Sequence, residues 1–332
     1  MKLKLFVNYL TSAPKARLFG GDVKIGCLQI VKMKILVIIV TYNAMQWAER
    51  CFDSLRKSTI VPDVFVVDNG STDETQTYIQ HNYPEVKFIQ SKENLGFGKA
   101  NNMGMQYALD NEYDYVYLLN QDAWVMEDTF EKLIEISLRN QEYGVLSPFQ
   151  MNADMEHIDQ RFIRNVMNWK SNPDIANDLY NQQLKDVYPV HVIMAAHWFV
   201  TRACLLKIGG FSPSFPHYRE DDNYAERMHY FGLKLGIVPS LRVVHDRGWR
   251  EDPISKKLHM MYTGCIRVMS SPVMSKREAY LWIANNVIKS TAKYKSLLPF
   301  KYVWKLMCQK RTLEKNKKIS MSQDCAFLNM RN

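Results

Sequence analysis

The sequence predicts an α/β fold built on a mostly parallel central sheet flanked by helices, with a basic helical appendage at its C-terminal end. Three observations carry this expectation. Short β-branched runs alternate with helix-spaced segments from residue 34 to about residue 140. Each run ends in a cluster of Asn, Asp, Gly or Ser, the turn chemistry of a strand's end. The net charge of +9 is uneven: residues 253–332 hold 16 Lys/Arg and 3 Asp/Glu, a balance of +13, which leaves −4 for residues 1–252.

Composition narrows the class. At about 150 residues per domain, 332 residues allow one large domain or one domain with a substantial appendage. With 47% hydrophobic and 23% charged residues the chain is near the globular average, which excludes wholesale disorder. The longest unbroken aliphatic run is residues 35–40, against about 20 residues needed to span a bilayer, so no transmembrane helix is expected. No two of the six cysteines form a C-x-x-C pair, which argues against a zinc ribbon. Reduced thiols in a cytoplasmic protein are expected.

The elements follow in order. Residues 1–32 mix Lys2, Lys4, Lys15 and Arg17 with short apolar pieces and make a poor signal peptide. Met33-Lys34 directly before a strong strand reads as a natural start, so 1–32 is expected to be an over-extended or non-native N-terminal extension. Residues 35–40 form a buried strand, and 44–58 a helix with Trp47, Cys51, Phe52 and Leu55 on one side. Residues 64–67 form a second strand, 73–82 a helix and 86–89 a third strand. A helix from about 99 to 109, a fourth strand at 115–119 and a helix at 130–140 complete the run. Right-handed crossovers place the C-terminal ends of parallel strands on one edge, where open α/β sheets bind ligands. Four polar turns fall at that edge: Thr41-Tyr42-Asn43, the turn from Asp68 to Asp73, Asn94-Leu95-Gly96-Phe97-Gly98, and Asn120-Gln121-Asp122.

Six stretches recur together in order: VIIVTYNAMQWAERCFDSL, VFVVDNGSTDET, NLGFGKANNMGM, VYLLNQDAWV, WFVTRACLLKIGGFSPSF and REDDNYAERMHYFGLKLGIVPSLRVVHDRG. As a set they resemble the family 2 glycosyltransferases, inverting nucleotide-sugar enzymes with the GT-A fold. The likeness covers residues 34 to 247 and looks closest to the rhamnosyltransferase-like branch, which acts on cell-surface polysaccharides. It implies a GT-A domain over 33–252, with 253–332 as the basic appendage. It also implies transfer of a hexosyl or deoxyhexosyl group from a UDP- or dTDP-sugar to a hydroxyl of a glycan or lipid-linked acceptor.

The resemblance gives these residue types work. A departing nucleoside diphosphate gathers negative charge, which a divalent cation (Mg²⁺ or Mn²⁺) stabilises with few protein carboxylates. Asp122 stands at the last Asp of the family's D-x-D motif, with Asn120 at the first position; His245 matches a late His that completes a metal site. Glu220-Asp221 matches the family's E-D pair, so Asp221 is the expected general base, although Asn223 replaces the usual last Asp and Asp222 is adjacent. Taken alone, Glu220-Asp221-Asp222 reads as the acidic first turn of a helix at 223–231. Thr41, Asn43, Asp68 and Asn69 are expected around the nucleoside, and Gly96, Gly98, Lys99 and Asn101 around the donor. His197, before the strand-like 199–201, reads as a buried structural histidine ahead of an acceptor contact.

Two other functions compete. A sugar-nucleotide-forming nucleotidyltransferase needs a Gly-rich, Arg-containing loop after the first strand, where this chain has Thr41-Tyr42-Asn43-Ala44. A basic nucleic-acid-binding protein draws support from the tail alone, and the −4 body opposes it; no nucleic-acid partner is expected. In the tail, 280–288 and 302–307 look helical, with Trp282 and Trp304 among lysines. That mixture suits peripheral contact with the inner face of the cell membrane or a packed helical cover with a solvated basic face. Residues 315–318 and the chain's last residues are expected to be mobile.

Overall fold

The computed structural model describes residues 33–166, 172–248, 252–322 and 324–329. The expectation of a non-native extension at 1–32 lies outside the described residues.

Strand β1 (Ile35–Thr41) is buried at every position except the partly exposed Val40. It is aliphatic on both faces, as a parallel strand covered on both sides requires. Helix α1 (Ala48–Arg56) lays Cys51, Phe52 and Leu55 on one face of the sheet. There follow β2 (Asp63–Asp68), α2 (Thr75–Asn82), β3 (Lys87–Gln90), α3 (Gly96–Asp110) and β4 (Tyr115–Asn120). Alternation splits the core: Leu36, Ile38, Val67 and Leu118 join the cluster under α3, whereas Val37, Ile39, Val66 and Leu119 join the one under α1. β1 pairs in parallel with β2 and β4, and β2 with β3, so the parallel order read over 34–120 is observed.

Beyond β4 the sheet becomes mixed. Next come β5 (Ala123–Trp124), α4 (Thr129–Arg139), β6 (Tyr143–Met151), α5 (Gln160–Val166), α6 (Pro173–Tyr180) and β7 (Tyr188–Val190). The chain then runs through β8 (His197–Thr201), α7 (Arg202–Ile208), α8 (Glu220–Tyr230) and β9 (Lys234–His245). β8 lies antiparallel between β4 and β6, giving the order β3-β2-β1-β4-β8-β6-β9-β5, with β7 on β9. β9 is twelve residues long. It pairs with β6 through a register shift opposite Pro148, which has no N–H to give the ladder, and its far end turns onto β5. That last pairing sets Ala123 opposite His245.

Three helices close the described chain: α9 (Ile254–Ser270), α10 (Lys276–Tyr294) and α11 (Leu298–Ser322). They share a core of Tyr262, Ile266, Ile283, Val287, Leu306 and Leu313, into which Phe215 inserts from the sheet domain. Glu226 of α8 and Arg267 of α9 form an ion pair across this boundary. Helices α10 and α11 are longer than the segments read from sequence, because their apolar faces pair with α9.

The expected mobility at 315–318 is corrected by the structure, whereas the chain's last residues, 330–332, lie outside the described residues. Asn316 is buried and donates to Ser214 Oγ at 3.0 Å, and Lys317 donates to the Met274 carbonyl at 2.9 Å. Residues 324–329 return to the sheet domain, where Cys325 N donates to the Leu206 carbonyl at 2.7 Å and Gly210 N to the Ala326 carbonyl at 2.8 Å. At Gly209 (φ +80°) a Cβ would stand 2.1 Å from the Ala326 carbonyl oxygen, so only glycine permits this return.

Candidate active site

A cleft of about 1150 Å³ opens where β1, β2 and β4 end, between that sheet edge and the start of α8. Its lining includes Asn69, Gly96, Asn120, Asp122, Asp221 and His245. The structure thus brings together the expected metal pair, the expected base, one expected nucleoside contact (Asn69) and one expected donor contact (Gly96).

The turn after β2 is organised from beneath by Asp68. Its fully buried carboxylate accepts from Thr41 Oγ1 at 2.8 Å, Ser71 Oγ at 2.5 Å, Gly70 N at 3.1 Å, Ser71 N at 2.9 Å and Gln76 Nε2 at 2.9 Å. Asp68 and Thr41 therefore form the scaffold of the loop rather than its ligand face. Asn43, at φ +51°, accepts from Thr72 N at 2.8 Å and ties the first loop to the second. Asn69 faces the cleft, accepting from Leu95 N at 3.2 Å. Gly96 has φ +77°, and a Cβ there would meet the Pro216 carbonyl oxygen at 2.5 Å. Glycine is needed at this point for the donor loop to pass the segment leading to α8. Three expected donor contacts stand apart from the lining. Gly98 is packed against Phe211, Asn101 is buried and donates to the Phe97 carbonyl at 3.0 Å, and Lys99 is exposed outside the cleft. All three fall on α3, whose first turn starts earlier than the sequence suggested, so its rotation sets their directions.

Asp122 and His245 meet because β5 and β9 are paired. Asp122 Oδ1 and His245 Nε2 lie 3.4 Å apart, with Asn120 Nδ2 also 3.4 Å from Nε2. On the other side, His245 Nδ1 lies 3.2 Å from Gln150 Oε1 and 2.8 Å from an Arg247 guanidinium nitrogen. Burial pushes the Asp122 carboxyl up, but the hydrogen bond and charge of His245, with Arg247, outweigh it and leave the group below its ordinary value. Asp122 is ionised at neutral pH.

Asp221 stands on the first turn of α8, where the helix N-terminus favours negative charge. Two consecutive residues with positive φ, Tyr218 (+71°) and Arg219 (+74°), precede it; such conformations cost about 1–3 kcal/mol each and concentrate at functional sites. Asp222 is committed to Arg219 at 2.6 Å. Asp221 accepts from the Asp222 N–H at 2.8 Å and lines the cleft. Burial and the neighbouring Asp222 charge raise its pKa above the usual carboxylate range. Glu220 is raised likewise by burial and by Asp221, and its Oε2 is buried without a partner. A carboxylate of raised proton affinity facing a cleft has the character of a general base.

His197 is wholly buried in β8. Its Nε2 donates to the Val244 carbonyl at 2.8 Å, its Nδ1 accepts from Tyr117 at 2.8 Å, and burial lowers its pKa to about 3. It is a structural histidine. Sequence reasoning missed the cations of the cleft: Arg161 and Arg164 on α5, Arg219, Arg247, and Lys256 on α9. Their one signal was the i, i+3 spacing of Arg161 and Arg164. Tyr42 and Gln121 were also missed. They clasp each other's loops through Tyr42 N to Gln121 Oε1 at 2.7 Å and Gln121 Nε2 to the Tyr42 carbonyl at 3.1 Å.

A doubly covered sheet with a carboxylate–histidine pair at one edge, and a carboxylate helix start and several cations lining the same cleft, fits a GT-A glycosyltransferase. Residues 36–201 match the family model described as Glycosyl transferase family 2, and the chain belongs to that family. It is 26% identical over 231 residues to the N-acetylglucosaminyl-diphospho-decaprenol L-rhamnosyltransferase of Mycobacterium tuberculosis, a match covering 64% of this chain and 75% of that protein. It is 32% identical over 104 residues to the O-antigen chain rhamnosyltransferase RfbN of Salmonella typhimurium, covering 31% of this chain and 32% of that protein. Among solved structures, the mannosyltransferase PcManGT of Pyrobaculum calidifontis, in complex with GDP-Man and Mn²⁺, matches with a TM-score of 0.54 at 16% identity. That match covers 87% of this chain and 86% of that one. S. aureus TarS 1-349 in complex with UDP-GlcNAc matches with a TM-score of 0.50 at 14% identity, over 87% of this chain and 82% of that one. The chain is a rhamnosyltransferase-like glycosyltransferase, and the two alternative functions give way to this assignment.

Proposed function

We propose that the chain is an inverting glycosyltransferase. It would move a hexosyl or deoxyhexosyl group, with rhamnose the favoured case, from a UDP- or dTDP-sugar to a hydroxyl of a glycan or lipid-linked acceptor. The observation that carries this is that Asp221 and the Asp122–His245 pair line one cleft. In the reading proposed, Asp221 takes the acceptor hydroxyl proton as that oxygen attacks the anomeric carbon. The bond from that carbon to the β-phosphate oxygen breaks, and the nucleoside diphosphate leaves from the opposite face. A single displacement inverts the anomeric centre. Asn69 and the backbone at Gly96 bound the donor, with Thr41, Asn43 and Asp68 holding their loops in place.

The residues fit a divalent cation as a two-ligand site. Asp122 Oδ1 and His245 Nε2 both belong to the cleft wall, and their 3.4 Å separation is too long for a strong charge-assisted hydrogen bond. Among the described residues no third His, Cys, Asp or Glu joins them, so phosphate oxygens and water would complete the shell. A bound cation supplies charge neutralisation for the departing diphosphate. Arg247, beside His245, adds a fixed positive charge on the same side.

The test is release of nucleoside diphosphate from a panel of nucleotide sugars with Mn²⁺, followed by acceptor transfer and analysis of the anomeric configuration. Asp221→Asn keeps the shape but cannot take the proton, so it should bind donor normally and lose roughly 10²–10⁴-fold in turnover. Retention of configuration, or full turnover in Asp221→Asn, would remove this reading.

A further inference from the structure

The outer surface of the α10–α11 hairpin is apolar where it should be polar. Ile288 is 65% exposed, Leu297 76%, Phe300 53% and Trp304 71%. These are not core residues displaced outward, because each helix already has its buried face: Ala279, Ile283 and Val287 on α10, and Leu306 and Leu313 on α11. Three of the four lie within eight residues of one another, at the tip of the hairpin and the first turns of α11. Trp282, by contrast, points inward and packs on Gly264, where a Cβ would stand 2.9 Å from its ring. The tryptophan that faces solvent is Trp304.

The charge around this patch is of one sign. Between residues 279 and 313 there is no Asp or Glu, while Lys289, Lys293, Lys295, Lys301 and Lys305 surround the tip and all five are exposed. No helix here is long and apolar enough to cross a membrane, so a spanning role does not explain the exposed apolar side chains.

We propose that the α10–α11 hairpin tip docks on an anionic lipid bilayer, with Phe300 and Trp304 entering the interface and the surrounding lysines meeting lipid headgroups. Tryptophan and phenylalanine suit the boundary between headgroups and acyl chains, and lysines on long stems keep their charge in the headgroup layer while their methylenes are buried. A second copy of the chain is the poorer occupant, since it would set five lysines against five lysines. The proposal does not rest on the transfer reaction, and its test uses no turnover.

The measurement is flotation of the full chain with vesicles of neutral phosphatidylcholine, alone or with anionic phosphatidylglycerol, over a salt series. Binding to the anionic vesicles should be at least about tenfold tighter and should weaken as salt rises, because headgroup attraction decays over a Debye length of roughly 8 Å. Changing Lys293 and Lys301 to Glu should weaken it by about fivefold or more per position. The double change Phe300→Ser and Trp304→Ser should cost about tenfold or more, and this loss should persist at high salt where the lysines are screened. Both variants alter exposed side chains, and unchanged circular dichroism confirms that they are folded. Equal binding to neutral and anionic vesicles, or undiminished binding of the Phe300/Trp304 variant, overturns the proposal. So does a lipid-free dimer that this variant disperses, which would assign the face to a second copy.

Discussion

Asp122 carries three relationships at once: a strand end, a histidine from a distant strand and a place in the wall of the cleft. Its carboxyl is held below the ordinary value because His245 and Arg247 outweigh its burial. Asp122→Ala removes one of the two metal ligands proposed above, and no group of three or more His, Cys, Asp or Glu is found among the described residues. The expected outcome is loss of Mn²⁺-dependent nucleotide binding, read by calorimetry with and without metal, and of most transfer activity. Full activity in excess chelator would contradict it. Asp221 and Asp222 are neighbours with different work. Both line the cleft, but Asp222 is paired with Arg219. The assignment of the base to Asp221 is a proposal, and turnover of the Asp221→Asn and Asp222→Asn variants separates the two. Asp68 looked like a nucleoside contact because a strand-end Asp is common in such sites. Only its five donors reveal that its oxygens are already occupied.

At the scale of elements, the site depends on pieces that are remote in sequence. β9 must run past β6 and bend onto β5 for His245 to reach Asp122. The segment Gly209-Gly210-Phe211 is held from three sides. Asn102 Oδ1 accepts from Phe211 N at 2.7 Å, the buried Arg227 donates to the Gly210 carbonyl at 2.6 Å, and residues 325 and 326 close over Gly209. Phe327 lies over the Arg227 guanidinium at 5.0 Å from its ring centre. Ending the chain after Ser322 would uncover this loop and leave backbone groups of Leu206 and Gly210 without their partners. The expected cost is about 2–4 kcal/mol, from two lost hydrogen bonds and the lost burial that Cys325 and Ala326 provide. A fall in the urea midpoint with unchanged slope would show it; an unchanged midpoint would make the segment dispensable. For the same reason, deleting the whole tail from residue 253 would expose Phe215 and unpair Glu226, so that deletion tests folding along with membrane binding.

For the molecule as a whole, the raised carboxyls at the start of α8 couple function to stability. Glu220 and Asp221 bind protons more tightly in the folded chain than in the unfolded one. Their contribution to stability is therefore complete below the ordinary carboxylate pKa of about 4 and is lost as pH rises through their higher folded values. With Asp221 as the proposed base, the same deprotonation readies it, so kcat/KM should rise over the pH interval in which the wild-type chain loses stability. Asp221→Asn removes one of the two groups and relieves repulsion within the pair. Its melting temperature should gain on that of the wild type as pH is raised from 5 to 8. A difference that stays constant over that interval would show that Asp221 does not titrate there.

The local code was legible in the sequence. Hydrophobic period and turn chemistry specified a parallel αβ half-sheet and its ligand edge, because both are properties of neighbouring residues, whereas Asp122, Asp221 and His245 were singled out by the family resemblance. Tertiary structure alone decided which of those residues meet. The antiparallel entry of β8 and the bend of β9 depend on strand pairings across long separations, which no local period encodes. The rotation of α3 turned Lys99 and Asn101 away from the cleft. The packing of α9, α10 and α11 on one another set Trp282, partly buried, against their core and left Trp304 in solvent, although the two look alike in sequence. A side chain's type follows from its codon; its direction follows from the face its element must bury.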